Sequence, residues 1–347
     1  MSLAFGTLSL PALLMAFGGG VFGAALGGLQ CFVLLGLVGL GAMALDANGV
    51  SFLLNVGFGF WLHPATFFSG NVIALSYAAQ KGYCGGKDLL CPLLSLRKPS
   101  ILLVAGCAGV IGYLLYYLAA VVLALNADNG AVAVITASLL CKVVLNRTLF
   151  GKADPKIAQG GRFSTKHDNH WMVALHDGPS KLLVGFALSA VAAAATYAVG
   201  MAYGAEADSS VWAGHMPAFI CFFISAASLM FLAGGYNMIV NHQTTLSAGY
   251  AFCCSAAAGA TMEVAFLWAI AVGIAATFLA DFLGDAFLLY GETHIDPPAF
   301  THLIVSVVVF NLSQVILVGI AVPVVLLVVL AVLSFTVYRP AGTPVLE

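Results

Sequence analysis

Apolar residues run through this chain in long uninterrupted stretches, separated by short polar segments. The first 45 residues carry no charge at all. As helix they would extend roughly 68 Å, about two crossings of a 30 Å hydrocarbon core. A break is expected at Phe17-Gly18-Gly19-Gly20. Gly23 and Gly27, then Gly28, Gly36, Gly39 and Gly41, supply the small residues that let membrane helices approach closely. The run from Val50 to Gln80 is interrupted at Gly57, Gly59 and His63-Pro64. Proline removes a backbone donor and disfavours helix before it, so two half-helices or a re-entrant segment are expected there. Clean spans follow at 100–125, 131–146, 181–204 and 215–240. The stretches 244–290 and 299–338 are each long enough for two crossings. Outer-membrane strands would alternate in polarity over about ten residues, a pattern not seen here. The pattern therefore predicts an all-α polytopic transmembrane helical bundle of about ten spanning or half-spanning segments.

Composition reinforces this reading. Of 347 residues, 62% are apolar and 7% charged, with 12 Lys/Arg against 14 Asp/Glu. A soluble domain carries roughly 25% charged residues, so a soluble enzyme is excluded. Disorder is excluded by the same numbers. A net charge of −2 offers no basic surface for nucleic acid. The eight cysteines sit mostly inside apolar runs, form no CxxC pair and read as small packing residues. The N-terminus lacks the basic segment of a signal peptide and is read as mature protein. No cofactor is expected.

Lys and Arg concentrate in loops 81–99 and 147–180 and are missing from 126–130 and 205–214. The first two loops are therefore expected in the cytoplasm, with the C-terminus, in an inner-membrane multi-pass arrangement. The expected divisions are an N-terminal transmembrane half (1–146), a cytoplasmic loop (147–180), a C-terminal half (181–338) and a cytoplasmic tail (339–347).

Three internal echoes suggest duplication. Pro99-Ser100-x-Leu102-Leu103-Val104 matches Pro179-Ser180-x-Leu182-Leu183-Val184. His63-x-x-Thr66-x-x-x-Gly70 matches His242-x-x-Thr245-x-x-x-Gly249. More loosely, His63-Pro64 compares with His294 through Pro298. Duplicated halves meeting at broken helices are common in transporters.

Ionisable groups inside membrane spans cost about 2.5–3.5 kcal/mol each on insertion scales, so they are candidates for function. Glu263, Asp281 and Asp285 are the clearest. Asp281 and Asp285 stand four apart on one helical face, where like charges call for a shared proton, a bound cation or a Lys/Arg partner. His294 and Asp296 lie in the polar break 291–298, where Pro298 could open the next helix and Asp296 or Thr293 could sit near its start. His63 with Thr66, and His242 with Thr245, fall near breaks within apolar runs. These nine residues form the candidate ion- or substrate-binding set. His167, Asp168, His170, His176 and Asp177 read as a solvated loop, with occasional surface metal binding as the alternative. No HExxH or GxSxG motif and no nucleotide-binding loop is present.

Gly291-Glu292-Thr293-His294-Ile295-Asp296-Pro297-Pro298, with Lys81-Gly82 and Gly86-Lys87-Asp88, resembles an uncharacterised group of prokaryotic multi-pass membrane proteins. The resemblance carries no activity with it.

The residues themselves point to an inner-membrane transporter or channel, for a cation or a proton-coupled small solute. Its expected partners are the lipid bilayer, that ion or solute, and further copies of the chain. The rival reading is a structural or assembly subunit of an oligomeric membrane complex, with the carboxylates at interfaces. An intramembrane enzyme stands third.

Overall fold

The computed structural model describes residues 5–45, 52–152, 160–164, 169–236 and 238–337. It is built from helices, with no strand among the described residues. The principal helices are α1 (Leu10–Leu26), α2 (Gly28–Met43), α3 (Pro64–Gln80), α4 (Pro99–Tyr117), α5 (Asn129–Asn146) and α6 (Gly178–Ala202). After these come α7 (Phe219–Ala233), α8 (His242–Ala257), α9 (Met262–Leu283), α10 (Pro297–Ile316) and α11 (Ala321–Thr336). Five-residue π-turns extend α4 over Leu118–Val122 and α9 over Gly284–Leu288.

Helix starts follow local chemistry. Ser9, Asp128, Asp177 and Thr261 each accept a hydrogen bond from a backbone N–H in the first turn of α1, α5, α6 and α9. Such caps satisfy donors that membrane interiors leave without water. Proline opens α3 and α4 and stands in the first turn of α6, where its missing N–H costs nothing.

Among the described residues, five stretches are long and apolar enough to cross a membrane: Pro99–Val122, Asn129–Asn146, Gly178–Ala202, Met216–Ala233 and Met262–Leu288. The pair α1 and α2, bent by 112°, qualifies as a sixth. Pro297–Ser313 and Ala321–Thr336 are shorter apolar helices. The expected count of ten is not reached by this measure.

The N-terminal break lies elsewhere than expected. Helix α1 runs unbroken through Phe17–Gly20 and ends at Gly27, whose φ of 105° suits glycine alone. Glycines 19 and 20 serve close packing instead, and Gly23 does so as expected. A Cβ on Gly20 would collide with the Ala105 carbonyl of α4, and one on Gly23 with the Phe67 backbone of α3.

The chain divides into two compact units that alternate along the sequence. The first comprises 1–149, 222–238 and 291–307. In it α1, α3 and α4 pack against one another, and α5 packs on α3 and α4. Gly112 meets Ala65 and Ser69, while Ala105 meets Gly70, so α3 and α4 run antiparallel. The second unit comprises 150–221, 239–290 and 308–347. There α6, α8 and α9 pack mutually, and α11 covers α6 and α9. Gly185 meets Ile274 and Thr277, and Ser189 meets Gly273, so α6 and α9 run antiparallel with their backbones close. Ala248 also meets Gly273, and Thr244 hydrogen-bonds Thr277 at 2.8 Å, which sets α8 antiparallel to α9.

Candidate functional site

The antiparallel register of α6 and α9 brings the first turn of α6 beside the last turn of α9. Lys181 therefore faces Asp281. Its Nζ lies 2.6 Å from Asp281 Oδ2, and the two side chains are 0% and 3% exposed. The same ammonium donates to the His176 carbonyl at 2.6 Å. One turn beyond Asp281, the π-turn widens the helix and carries Asp285, also buried. Insertions of this kind recur at functional sites.

The segment 169–177 closes over these carboxylates. Asp285 Oδ2 is 2.6 Å from His170 Nδ1, and its Oδ1 accepts from the Trp171 N–H at 3.1 Å. His170 Nε2 points at the Ser164 carbonyl, 3.0 Å away. Burial alone would lower the His170 pKa. The hydrogen bond to Asp285, the charges of Asp285 and Asp281, and the Ser164 carbonyl outweigh it and raise that pKa. His176 stacks on His170 with ring centroids 3.3 Å apart and planes 10° apart. Its Nδ1 stands 3.4 Å from Asp281 Oδ2. Neither ring nitrogen of His176 makes a hydrogen bond, although both are buried, and Asp281 Oδ1 is likewise unsatisfied. Such groups cost about 1–3 kcal/mol each when left unmet. Three of these residues, His170, His176 and Asp285, offer ligand atoms that all lie within 4.8 Å of one another.

Of the nine residues expected from sequence, only Asp281 and Asp285 enter this cluster. Glu263 is exposed in the first turn of α9, where a carboxylate complements the helix N-terminus. His242 opens α8 and is buried, with Thr245 Oγ1 3.5 Å from its carbonyl. In the first unit, His63 caps α3, accepting from the Ala65 N–H at 3.1 Å, and stacks on Phe5. Thr66 donates within the same turn, to the carbonyls of Phe60 (2.7 Å) and His63 (2.8 Å). Asp296 accepts from the Ala299 N–H at 2.8 Å, the expected place at the start of α10, and lies 3.4 Å from His294 Nε2. The 291–298 break is a structural tie. Glu292 accepts from the Gly86 N–H at 3.1 Å, and Thr293 bonds both Ser76 (2.6 Å) and Asn146.

The chain belongs to DUF7973, a family of unknown function. The family model matches residues 2–328, nearly the whole chain, in keeping with the resemblance to an uncharacterised group. No curated protein and no solved structure matches it.

Sequence reasoning missed three members of this DUF7973 site. His170 and His176 read as solvated loop residues, and Lys181 only as the first residue of the 181–204 span. His167 and Asp168 lie outside the described residues, and Asp177 caps α6. The available signal was the demand of the Asp281–Asp285 pair for a cationic partner, which Lys181 meets.

Proposed function

We propose that this DUF7973 chain is a duplicated inner-membrane transporter or channel for a cation or a proton-coupled small solute. Asp281 and Asp285 are its ion-handling carboxylates. The carrying observation is this buried pair at the end of a membrane-length helix, faced by Lys181 and two histidines. Buried carboxylates in a membrane-length helix are costly unless paired, and such pairs commonly mark ion or proton pathways.

Duplication is supported by three features of the two units taken separately. Each packs three helices mutually, in the chain orders α1, α3, α4 and α6, α8, α9, with the third antiparallel to the second. The second helix of each opens on His-x-x-Thr-x-x-x-Gly, at His63 and at His242. The third helix of each ends in a five-residue π-turn. This correspondence sets α4 against α9, whereas the Pro99 and Pro179 echo would set α4 against α6. On the Lys/Arg bias the site lies at the cytoplasmic end of α6 and α9, with the C-terminus on the same side.

The test is flux in proteoliposomes. Proton movement and divalent-cation uptake are followed for the parent chain and for Asp281→Asn and Asp285→Asn. Both variants are expected to lose at least tenfold in rate. Equal rates in all three folded proteins would remove the site. An inert parent chain would move the assignment to a structural subunit.

A further inference from the structure

We propose that His170, His176 and Asp285 form a binding site for one divalent transition-metal ion of the zinc class, with Asp281 as the positioning residue behind His176. The inference deepens the cation reading above by naming the ion class, and rests on the same cluster.

Two imidazoles and one carboxylate suit zinc, cobalt or nickel, whereas magnesium and calcium require mostly oxygen ligands. A tetrahedral zinc ion with bonds of about 2.0–2.1 Å separates its ligand atoms by roughly 3.3 Å. The three donors lie within 4.8 Å of one another; the His170 Nδ1–Asp285 Oδ2 pair, at 2.6 Å, must open by about 0.7 Å, and His176 must turn out of its face-to-face stack on His170 to aim its lone pair at the same point. A metal-bound histidine ordinarily donates its second ring N–H to a carbonyl or carboxylate. His170 has that partner in place, and His176 has one within reach. His170 turns Nε2 to the Ser164 carbonyl and keeps Nδ1 toward Asp285. His176 has Nδ1 3.4 Å from Asp281, which leaves Nε2 as the donor. Asp285 Oδ1 is held by the Trp171 N–H, so Oδ2 is the ligand atom. Asp281 is itself fixed by Lys181, which keeps it behind the site.

The independent sign of a missing ligand is the set of unsatisfied buried atoms: His176 Nε2 and Nδ1, and Asp281 Oδ1 on a side chain only 3% exposed. A metal on Nε2 draws the ring so that Nδ1–H donates to Asp281 Oδ2, and both ring nitrogens of His176 are met together. On binding, the proton between His170 Nδ1 and Asp285 Oδ2 leaves to water, and the metal takes its place between the two atoms.

The experiment is titration of purified, tag-free, full-length protein in detergent micelles with Co²⁺, read by its visible absorption, followed by displacement with Zn²⁺. One Co²⁺ per chain with intense low-coordinate bands, removed by Zn²⁺, is expected. His176→Gln and Asp285→Asn should abolish the bands. Asp281→Asn should keep the stoichiometry and weaken affinity about 10–100-fold. His294→Ala should leave the titration unchanged. Circular dichroism and gel filtration identify folded variants. Because His176 makes no side-chain hydrogen bond, His176→Gln is the variant that removes least from the fold. An octahedral aqueous spectrum in the parent chain, or bands that survive in folded His176→Gln, would overturn the proposal. Carboxylate-dependent flux without Co²⁺ binding would overturn the metal site and leave the transport reading standing. Co²⁺ binding with flux indifferent to Asp281 and Asp285 would do the reverse.

Discussion

Replacing Lys181 by Met removes the ammonium and leaves the Asp281 carboxylate facing an apolar side chain. Both groups are almost fully buried, at 0% and 3% exposure, and stand 2.6 Å apart. An exposed pair would contribute about 0–1 kcal/mol. Breaking a buried pair by removing one partner costs about 3–5 kcal/mol, because a charge is left without compensation. The burial places this pair in the second class. The substitution also deprives the His176 carbonyl of its donor, a further loss of about 1 kcal/mol. Asp281→Leu alone should cost a similar amount by stranding the ammonium. The double variant, Lys181→Met with Asp281→Leu, exchanges the pair for apolar contact and should recover most of the loss, ending within about 2 kcal/mol of the parent. Unfolding free energies from denaturing-detergent titration in mixed micelles measure all four corners of the cycle. A single-variant cost below about 1 kcal/mol, or additive losses in the double, would show that water reaches the pair and that the buried-pair argument fails.

Three further outcomes are expected. Gly273→Ala should destabilise by about 1–3 kcal/mol through overpacking, since the new Cβ collides with the Ser189 hydroxyl, which is held on the Gly185 carbonyl at 2.5 Å; adding Ser189→Gly should restore thermal stability. Burial, then the Cys91 thiol and the charges of Asp88 and Glu292, push the Cys84 thiol up to about 11; its alkylation rate should still be climbing above pH 9, and a plateau near pH 9 would contradict that environment. In a background without Cys84 and Cys91, Asn126→Cys should react with a membrane-impermeant maleimide from the outer face, and reaction from the cytoplasmic side alone would invert the topology.

Much of the helical layout was legible because it follows from local rules. Polar caps and prolines at Asp128, Asp177, His63-Pro64 and Asp296-Pro297 mark helix starts that the apolar runs already required. Gly18, Gly19 and Gly20 were misread, while Gly23 packs as expected, because a glycine cluster looks the same whether it breaks a helix or admits a neighbour's backbone. Only the partner carbonyls of Ala105 and Phe67 decide which. The cluster was half legible. Two carboxylates four apart announce a need for positive charge. The cation that meets Asp281 lies 100 residues earlier, brought there by the register of α6 against α9 that the glycine contacts fix. His63 and Thr66 looked chemical but serve as a cap and its support, which pattern alone does not distinguish from a ligand pair.

The described cluster of buried carboxylates, with Lys181 and two histidines, sits in the second unit, and the proposed duplication gives this a physical reading. The π-turn after α4 reads Leu118-Ala119-Ala120-Val121-Val122, wholly apolar, while its counterpart after α9 reads Gly284-Asp285-Ala286-Phe287-Leu288. The widened backbone is shared and the carboxylate is not. A π-turn frees backbone groups and rotates the following residues, so it offers a ready place for a polar side chain in a helix otherwise closed to one. Gly284 is tight against Trp171, which holds the 169–177 segment over that turn and sets the Trp171 N–H on Asp285. The first unit, with no acid in its turn, has no charge there to neutralise. If the halves descend from one ancestor, the ion site arose by placing carboxylates at a pre-existing irregularity and recruiting the preceding loop to cover them. On that account, restoring apolar residues at Asp281, Asp285 and Lys181 together should leave a folded, more stable protein that no longer handles its ion. Stability and function at this end of α9 would then oppose each other. A triple variant less stable than the parent in the same detergent titration would refute that opposition.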